Sequence, residues 1–312
     1  MKTRIGVVGS NMVDLVTYTD RMPEAGETLA APSFLMGHGG KGANQAVAAA
    51  RLGADVMLVS RVGEDLFGEG TIKNFRAAGI DARHVRAVPG TQSGVAPIFV
   101  DPSGENRILI VKGANDHLLP ADVDEAAEDL RQCGLILLQL EIPLETIYHT
   151  VAWATREGIE VLLNPAPAVP ELDVERILGA TFLVPNQTEL TILTGLPADT
   201  REQAEAAARS LVARGIRTVI VTLGAEGALL VGDGPAVHVP SVPVRPHDTS
   251  GAGDAFIGAF AQHYVASRDV AAAMRQGAAY AADSITRPGT QKAFADAQGF
   301  ALFRAALGGQ DD

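Results

Sequence analysis

The sequence predicts an α/β protein built on a parallel sheet covered on both faces. Short, near-continuous apolar runs rich in Val, Ile and Leu alternate along the chain with longer amphipathic or alanine-rich stretches. Strands buried on both faces read that way. The 312 residues, 47% hydrophobic and only 20% charged, supply enough apolar material for about one large domain or two ordinary ones. That balance excludes extended disorder.

Taken in order, the first strand is expected at Arg4–Val8, where a lone arginine precedes an apolar run. The small, amphipathic segment Gly42–Leu52 is expected to be helical, followed by a β-branched strand at Val56–Val62 and a helix at Phe67–Ala78. The second half repeats the alternation, with strands at Leu135–Leu140, Glu160–Asn164, Phe182–Val184 and Thr218–Leu223. Helices are expected between and after them at Leu144–Arg156, Arg201–Arg214 and Ala252–Val265. Ligands of such sheets bind beyond the carboxyl ends of the strands.

Two segments break the alternation. Thr91–Val100 and Asn106–Val111 read as consecutive strands joined by the turn sequence Asp101-Pro-Ser-Gly104, and Phe34–Met36 reads as a further short strand. They form either a small separate sheet, able to act as a lid that excludes water, or an extra hairpin on the main sheet. The C-terminal Gly308-Gly-Gln-Asp-Asp312 is expected to fray.

A net charge of −12 argues against a nucleic-acid partner, because phosphate neutralisation needs a basic face. The single Cys133 cannot form an internal disulfide or a cysteine-rich zinc site. No stretch approaches the ~18 consecutive apolar residues of a membrane span, and Ser10, Asn11 and Asp14 interrupt the opening run. The expectation is a soluble cytoplasmic protein without membrane association.

The strongest local signal is Asp248-Thr-Ser-Gly-Ala-Gly-Asp-Ala-Phe256, which runs into an apolar helical pattern. Gly251 and Gly253 would let backbone approach a ligand closely, and the free N–H groups of the following helix favour an anion such as phosphate. Asp254, in the first turn, could take a proton from a hydroxyl aimed at that phosphate. On helix physics alone, the favoured role is no more than to complement the helix dipole.

The second cluster is Gly37-His-Gly-Gly-Lys-Gly-Ala-Asn-Gln-Ala46. Its glycines fit G-x-G-x-x-G, but the dinucleotide fingerprint also needs an acid at the end of the next strand, and positions 56–62 read Val-Met-Leu-Val-Ser-Arg-Val. A nicotinamide oxidoreductase is therefore disfavoured, and no P-loop sequence is present. Either the cluster is a backbone-lined loop presenting Lys41 and Asn44 to a small polyol, or it is a glycine-rich turn that starts a helix.

Together, Gly39-Gly-Lys-Gly-Ala-Asn-Gln-Ala46 and Asp248-Thr-Ser-Gly-Ala-Gly-Asp254 resemble the two signatures of the ribokinase-like carbohydrate kinase family. The resemblance extends to Gly9-Ser-Asn-Met-Val-Asp14, Leu138-Gln-Leu-Glu141, Asn186-Gln-Thr-Glu189, Thr222-Leu-Gly-Ala-Glu-Gly227 and Thr286-Arg-Pro-Gly289, and within the family it is nearest the ribokinase and deoxyribokinase group. It implies one doubly wound α/β kinase domain over residues 1–312, with a small β lid from about residues 16–37 and 91–112. It implies transfer of the γ-phosphoryl of ATP to the 5-hydroxyl of a free pentose. Asp254 matches the catalytic base, and the N–H groups of Gly251, Ala252 and Gly253 match an anion hole for the transferring phosphoryl. Met12, Asp14, Gly39, Gly40, Lys41, Asn44 and Glu141 fall at sugar-binding positions. Asn186, Thr222, Gly224, Gly227 and Gly253 fall on the ATP side. Asp248, Ser250, Ser284, Arg287, Gly289 and Ala293 fall at a potassium loop, the last by its carbonyl since the family carries serine there. Glu189 would organise magnesium through water. A homodimer through the lids is implied as well.

Met12 departs from the ribokinase pattern, which has asparagine there to contact the sugar's 2-hydroxyl. A thioether cannot make that hydrogen bond. A buried 2-hydroxyl facing it would lose about 1–3 kcal/mol, roughly 5- to 150-fold in affinity. The expected substrate is therefore 2-deoxy-D-ribose, with D-ribose as the alternative and a sugar-binding sensor without turnover as a more distant one.

Overall fold

The computed structural model describes residues 2–102 and 106–308. Its strands are β1 (Arg4–Val8), β2 (Met12–Tyr18), β3 (Ser33–Gly39), β4 (Val56–Gly63), β5 (Asp81–Val88), β6 (Val95–Val100) and β7 (Asn106–Ile108). Then follow β8 (Cys133–Leu138), β9 (Glu160–Leu163), β10 (Phe182–Leu183), β11 (Val219–Thr222), β12 (Ala228–Val231) and β13 (Val237–Val239). The helices are α1 (Lys41–Arg51), α2 (Leu66–Ala77), α3 (Pro120–Glu125), α4 (Ala127–Leu130) and α5 (Leu144–Glu157). After them come α6 (Gln187–Thr194), α7 (Arg201–Ala213), α8 (Ala252–Ser267), α9 (Val270–Ser284) and α10 (Ala297–Gly308).

Nine strands form one sheet in the order β13-β12-β11-β10-β9-β8-β1-β4-β5. Pairing is parallel from β5 to β11, and β12 and β13 add an antiparallel edge. Alternate residues feed two cores, one on each face. Val59, Ile136 and Leu138 join the core packed under α5 and α7, while Ile5, Leu58, Leu135 and Leu137 join the one under α1 and α8. The expected parallel sheet with two covered faces is what this sequence builds.

The helix that matters for the site is anchored twice. Phe182 of β10 meets Phe260 and Tyr264 of α8 edge-on, with ring centroids 5.4 and 4.9 Å apart. Each such pair contributes about 0.5–1.5 kcal/mol beyond its buried area. On its other side α8 lies tight against α1, and a Cβ at Gly258 would fall 2.5 Å from the Ala48 Cβ and 2.9 Å from the Gln45 carbonyl oxygen. The run of small residues in α1 thus sets the helix separation.

The strands that broke the alternation form a sheet of their own, β3-β2-β6-β7, rather than extending the main one. It begins at Met12 and not near residue 16, because β2 pairs with β3 from Met12–Gly39 onward. Of the expected strand Thr91–Val100 only Val95–Val100 is extended. Ser93 instead donates its N–H and its hydroxyl to Asp65, the N-cap of α2, at 2.7 Å each. Asn106–Val111 shortens to Asn106–Ile108, with Val111 making an isolated bridge to Val95. Ser103, Gly104 and the tail from residue 309 lie outside the described residues. Among the described residues no helix is long and apolar enough to cross a membrane.

Candidate active site

The direction of strand addition reverses at β1, which lies between β4 and β8. Crevices at such switch points are where open α/β sheets bind ligands. The segments leaving β1 and β8 carry Ser10 and Glu141. The Ser10 hydroxyl donates to Glu141 Oε2 at 2.6 Å, and the same oxygen accepts from the Lys41 N–H at 2.8 Å. Glu141, 5% exposed, therefore sits at the positive end of α1.

The second helix terminus is that of α8. Gly251 caps it with φ +73°, in the left-handed region, where a Cβ would lie 2.4 Å from Thr290 Cγ2. The Ala252 N–H already donates to the Thr249 carbonyl at 3.2 Å. Of the three expected anion-hole donors, Ala252 is thus turned inward, while Gly253 is exposed at the open end of the helix.

Asp254 is buried between the two helices. Its Oδ2 accepts from Asn44 Nδ2 at 2.9 Å and its Oδ1 from Gln45 Nε2 at 3.0 Å. Burial pushes the Asp254 carboxyl up, whereas Lys41, Asn44 and Gln45 favour its charged form. For Lys41, burial pulls the ammonium down, but Asp254, Glu141 and Glu189 more than offset it and the net direction is up.

These groups open into a cleft of about 190 Å³ lined by Lys41, Asn186, Glu189, Thr222, Gly253 and Asp254, among others. Asn186 and Glu189 form a reciprocal cap on α6, each side chain accepting from the other's backbone N–H at 2.8 Å. Burial raises the Glu189 carboxyl, against the Asn186 N–H and Lys41. Gly224 and Gly227 do not line the cleft. They shape the turn from β11 into β12, where the Gly227 N–H donates to the Gly224 carbonyl at 3.1 Å.

Asp14 of β2 lies within electrostatic reach of Glu141 and Asp254. The Asp14 carboxyl is pushed up to about 7, first by burial and then by Glu141 and Asp254. It packs against the backbone of Gly39, where a Cβ would be only 2.2 Å from Asp14 Oδ1. Met12, 2% exposed, pairs with Gly39 and is buried apart from the two clusters that cover the main sheet. The amide next to it is committed elsewhere, since Asn11 Nδ2 donates to Ser60 Oγ at 2.8 Å and to the Arg61 carbonyl at 2.7 Å.

The two loops expected to hold a monovalent cation are joined. The Asp248 carboxylate accepts from the Ser250 N–H at 2.9 Å and from the Gly289 N–H at 2.8 Å. Those donors hold the Asp248 carboxyl low despite its partial burial, which acts the other way. Ser284 keeps one carbonyl lone pair after accepting from the Arg287 N–H at 3.3 Å. Ala293 departs from expectation. Its carbonyl accepts from both Nε and Nη2 of Arg287, at 2.9 and 2.7 Å, so neither lone pair remains for a cation. Asp248, Ser250, Ser284, Arg287 and Gly289 stay gathered, and Ala293 drops out.

Sequence reading passed over Ser10, Gln45, Gln139 and Gln291, all buried. Gln291 Nε2 donates to Asn44 Oδ1 at 3.0 Å, so the Asn44 amide braces Asp254. The available signal was a polar residue on an otherwise apolar helix face, directly after Asn44.

This doubly wound sheet, with a small second sheet beside a carboxylate at a glycine-capped helix terminus, is that of a sugar kinase, as its family match shows. The chain belongs to the pfkB family of carbohydrate kinases, which matches residues 2–297. It is 55% identical over 296 residues to a deoxyribokinase of Salmonella typhi, covering 95% of this chain and 97% of that one. A ribokinase of Bacillus subtilis is 41% identical over 271 residues, covering 87% and 89% of the two chains. In structure the chain resembles Arabidopsis thaliana ribokinase complexed with ribose and ATP, with TM-score 0.91, 31% identity and coverage of 97% and 99%. Ribokinase from Thermotoga maritima superposes with TM-score 0.86 at 34% identity, covering 96% of this chain and 99% of that one.

Proposed function

We propose that the protein transfers the γ-phosphoryl of ATP to the 5-hydroxyl of a free pentose, with 2-deoxy-D-ribose preferred over D-ribose. The observation that carries the reading is Asp254, a buried carboxylate held at both oxygens in the first turn of α8. It supports a base that takes the hydroxyl proton as the sugar oxygen attacks the γ-phosphorus and ADP leaves. Gly253, with Gly251, offers backbone donors to the charge on the transferring phosphoryl, and Lys41 adds a cation. The likeness to the Salmonella deoxyribokinase and to ribokinases that bind ribose and ATP supports the same substrates here.

Asp14, Gly39, Gly40, Lys41, Asn44 and Glu141 hold the sugar in this reading, and Asn186, Thr222 and Gly253 the nucleotide. Met12 meets the 2-position, and the adjacent Asn11 amide, bound to Ser60 and Arg61, is not free to replace the missing donor. The half-open, buried carboxylate of Glu189 in the cleft fits magnesium held through water. Asp248, Ser250, Ser284, Arg287 and Gly289 fit potassium. Magnesium would neutralise phosphate charge, and potassium would fix the loop that precedes α8.

The small sheet acts as a lid on one kinase domain. It exposes Phe34, Leu35, Met36, Ile108 and Ile110, which supports a homodimer in which each lid shelters its partner's sugar site. A cytoplasmic location, where ATP and potassium are supplied, completes the reading.

The direct test is product identification. Incubation with 2-deoxy-D-ribose, ATP, Mg²⁺ and K⁺ should give ADP and a single 5-phosphate ester by ³¹P NMR. ADP formation without a sugar phosphate, or a 1-phosphate product, overturns the reading.

A further inference from the structure

Asp254 terminates two chains of side-chain amides, and every amide in them points its donor toward the carboxylate. In one, Gln45 Nε2 donates to Asp254 Oδ1 at 3.0 Å, and Gln139 Nε2 donates to Gln45 Oε1 at 2.6 Å. In the other, Asn44 Nδ2 donates to Oδ2 at 2.9 Å, Gln291 Nε2 to Asn44 Oδ1 at 3.0 Å, and Asn74 Nδ2 to Gln291 Oε1 at 2.9 Å. An ionised carboxylate only accepts, so it fixes the sense of each amide behind it. The second Gln45 donor goes to Asn164 Oδ1 at 3.2 Å, and Asn164 Nδ2 in turn donates to the Val184 carbonyl at 2.9 Å. Both Gln45 donors are thereby committed in one orientation, and the side chain has no exposed surface.

At the far end of the first chain, no protein donor among the described residues reaches the buried Gln139 Oε1, which lies where a Cβ on Gly9 would meet it at 2.3 Å.

We propose that Gln45, oriented by Gln139, is a positioning residue that keeps Asp254 ionised and aimed at the reacting hydroxyl. The inference rests on the assignment of Asp254 as the base. The charged and titratable groups facing Asp254 are Lys41 on α1, Asp14 on β2, Glu141 after β8 and Glu189 on α6. Three of the four are acidic and work against ionisation, leaving Lys41 and the amide donors to favour it. An amide chain adds donors without adding charge, so it supports the carboxylate without weakening ATP binding at the adjacent cleft.

The test measures single-turnover phosphoryl transfer to 2-deoxy-D-ribose from pH 5 to 9 in wild type, Gln45→Met and Gln139→Met. Loss of one donor to a charged group should move the acid limb of the Gln45→Met profile up by about one pH unit. On the acid side of the wild-type limb the rate should fall about tenfold and recover largely above the shifted limb, with half-saturating sugar and ATP concentrations within about twofold of wild type. Gln139→Met, which leaves the Asp254 contact in place but frees Gln45 to turn, should give a smaller shift in the same direction. A purely structural role would lower the rate equally at all pH values, or change nothing, and either result overturns the proposal. Asp254→Asn, run in parallel, separates the two readings. Retained turnover there refutes the base itself, whereas an inactive Asp254→Asn beside unshifted glutamine variants refutes only the positioning role.

Discussion

Asn44 Nδ2 donates to Asp254 Oδ2 at 2.9 Å, joining the first turn of α1 to the first turn of α8 across 210 residues of sequence. With the neighbouring Gln45 bond to Oδ1, that contact ties the two glycine-rich segments of the chain into one site. Each segment alone reads as a turn that begins a helix. Held together, they place a cation, a carboxylate and a set of backbone donors around one cleft.

Asp254→Asn keeps the side-chain volume but loses the proton acceptor. The variant should bind deoxyribose and an ATP analogue within a fewfold of wild type by calorimetry. Its kcat should fall by roughly 10²- to 10⁴-fold, since the lost interaction acts in the transition state.

Asp14 gives a pH signature in stability. Its folded value, about 7, lies above the ordinary value near 4 that it takes when unfolded. Between those values the folded chain holds a proton that the unfolded chain has released, so stability falls as pH rises through the window. Asp14→Asn should raise Tm at pH 8, by about 2–4 °C for each kcal/mol regained, and the gain should vanish toward pH 4. Sugar affinity should drop in the same variant.

Gly258→Ala places a methyl 2.5 Å from the Ala48 Cβ and forces α1 away from α8. The cost should be about 1–3 kcal/mol in denaturant unfolding. Activity should fall further than stability predicts, because Asn44 and Gln45 ride on α1 and Asp254 on α8.

The cation loops predict a selective response to salt. Replacing K⁺ by Na⁺ should lower kcat in wild type. Asp248→Ala should lose most of that difference, as it unties Ser250 from Gly289. Substitution at Ala293 should leave the response intact, its carbonyl being committed to Arg287.

Much of this was legible in the chain. The apolar strands β1, β4, β8 and β11 announce themselves because both of their faces are buried. β5 escaped notice because it is an edge strand paired only with β4, and its Asp-Ala-Arg-His-Val-Arg-Ala-Val carries exposed residues. β13 went unmarked as well, being a three-residue edge strand with two exposed positions. The site showed the same division. Asp254 and Lys41 stand in distinctive local strings, whereas Gln45, Gln139 and Gln291 matter only through partners distant in sequence. Ala293 lost its expected role for a similar reason, since the Arg287 guanidinium that occupies its carbonyl depends on how the loop folds back.

The central claim is a pentose kinase whose pocket favours a sugar without a 2-hydroxyl. Initial rates on 2-deoxy-D-ribose and D-ribose, measured side by side with ATP, Mg²⁺ and K⁺ in wild type and Met12→Asn, test it most directly. The account predicts a higher kcat/KM for deoxyribose in wild type and a shift toward ribose of roughly 5- to 150-fold in the variant. Equal efficiencies or a preference for ribose in wild type, with no movement in Met12→Asn, would contradict it.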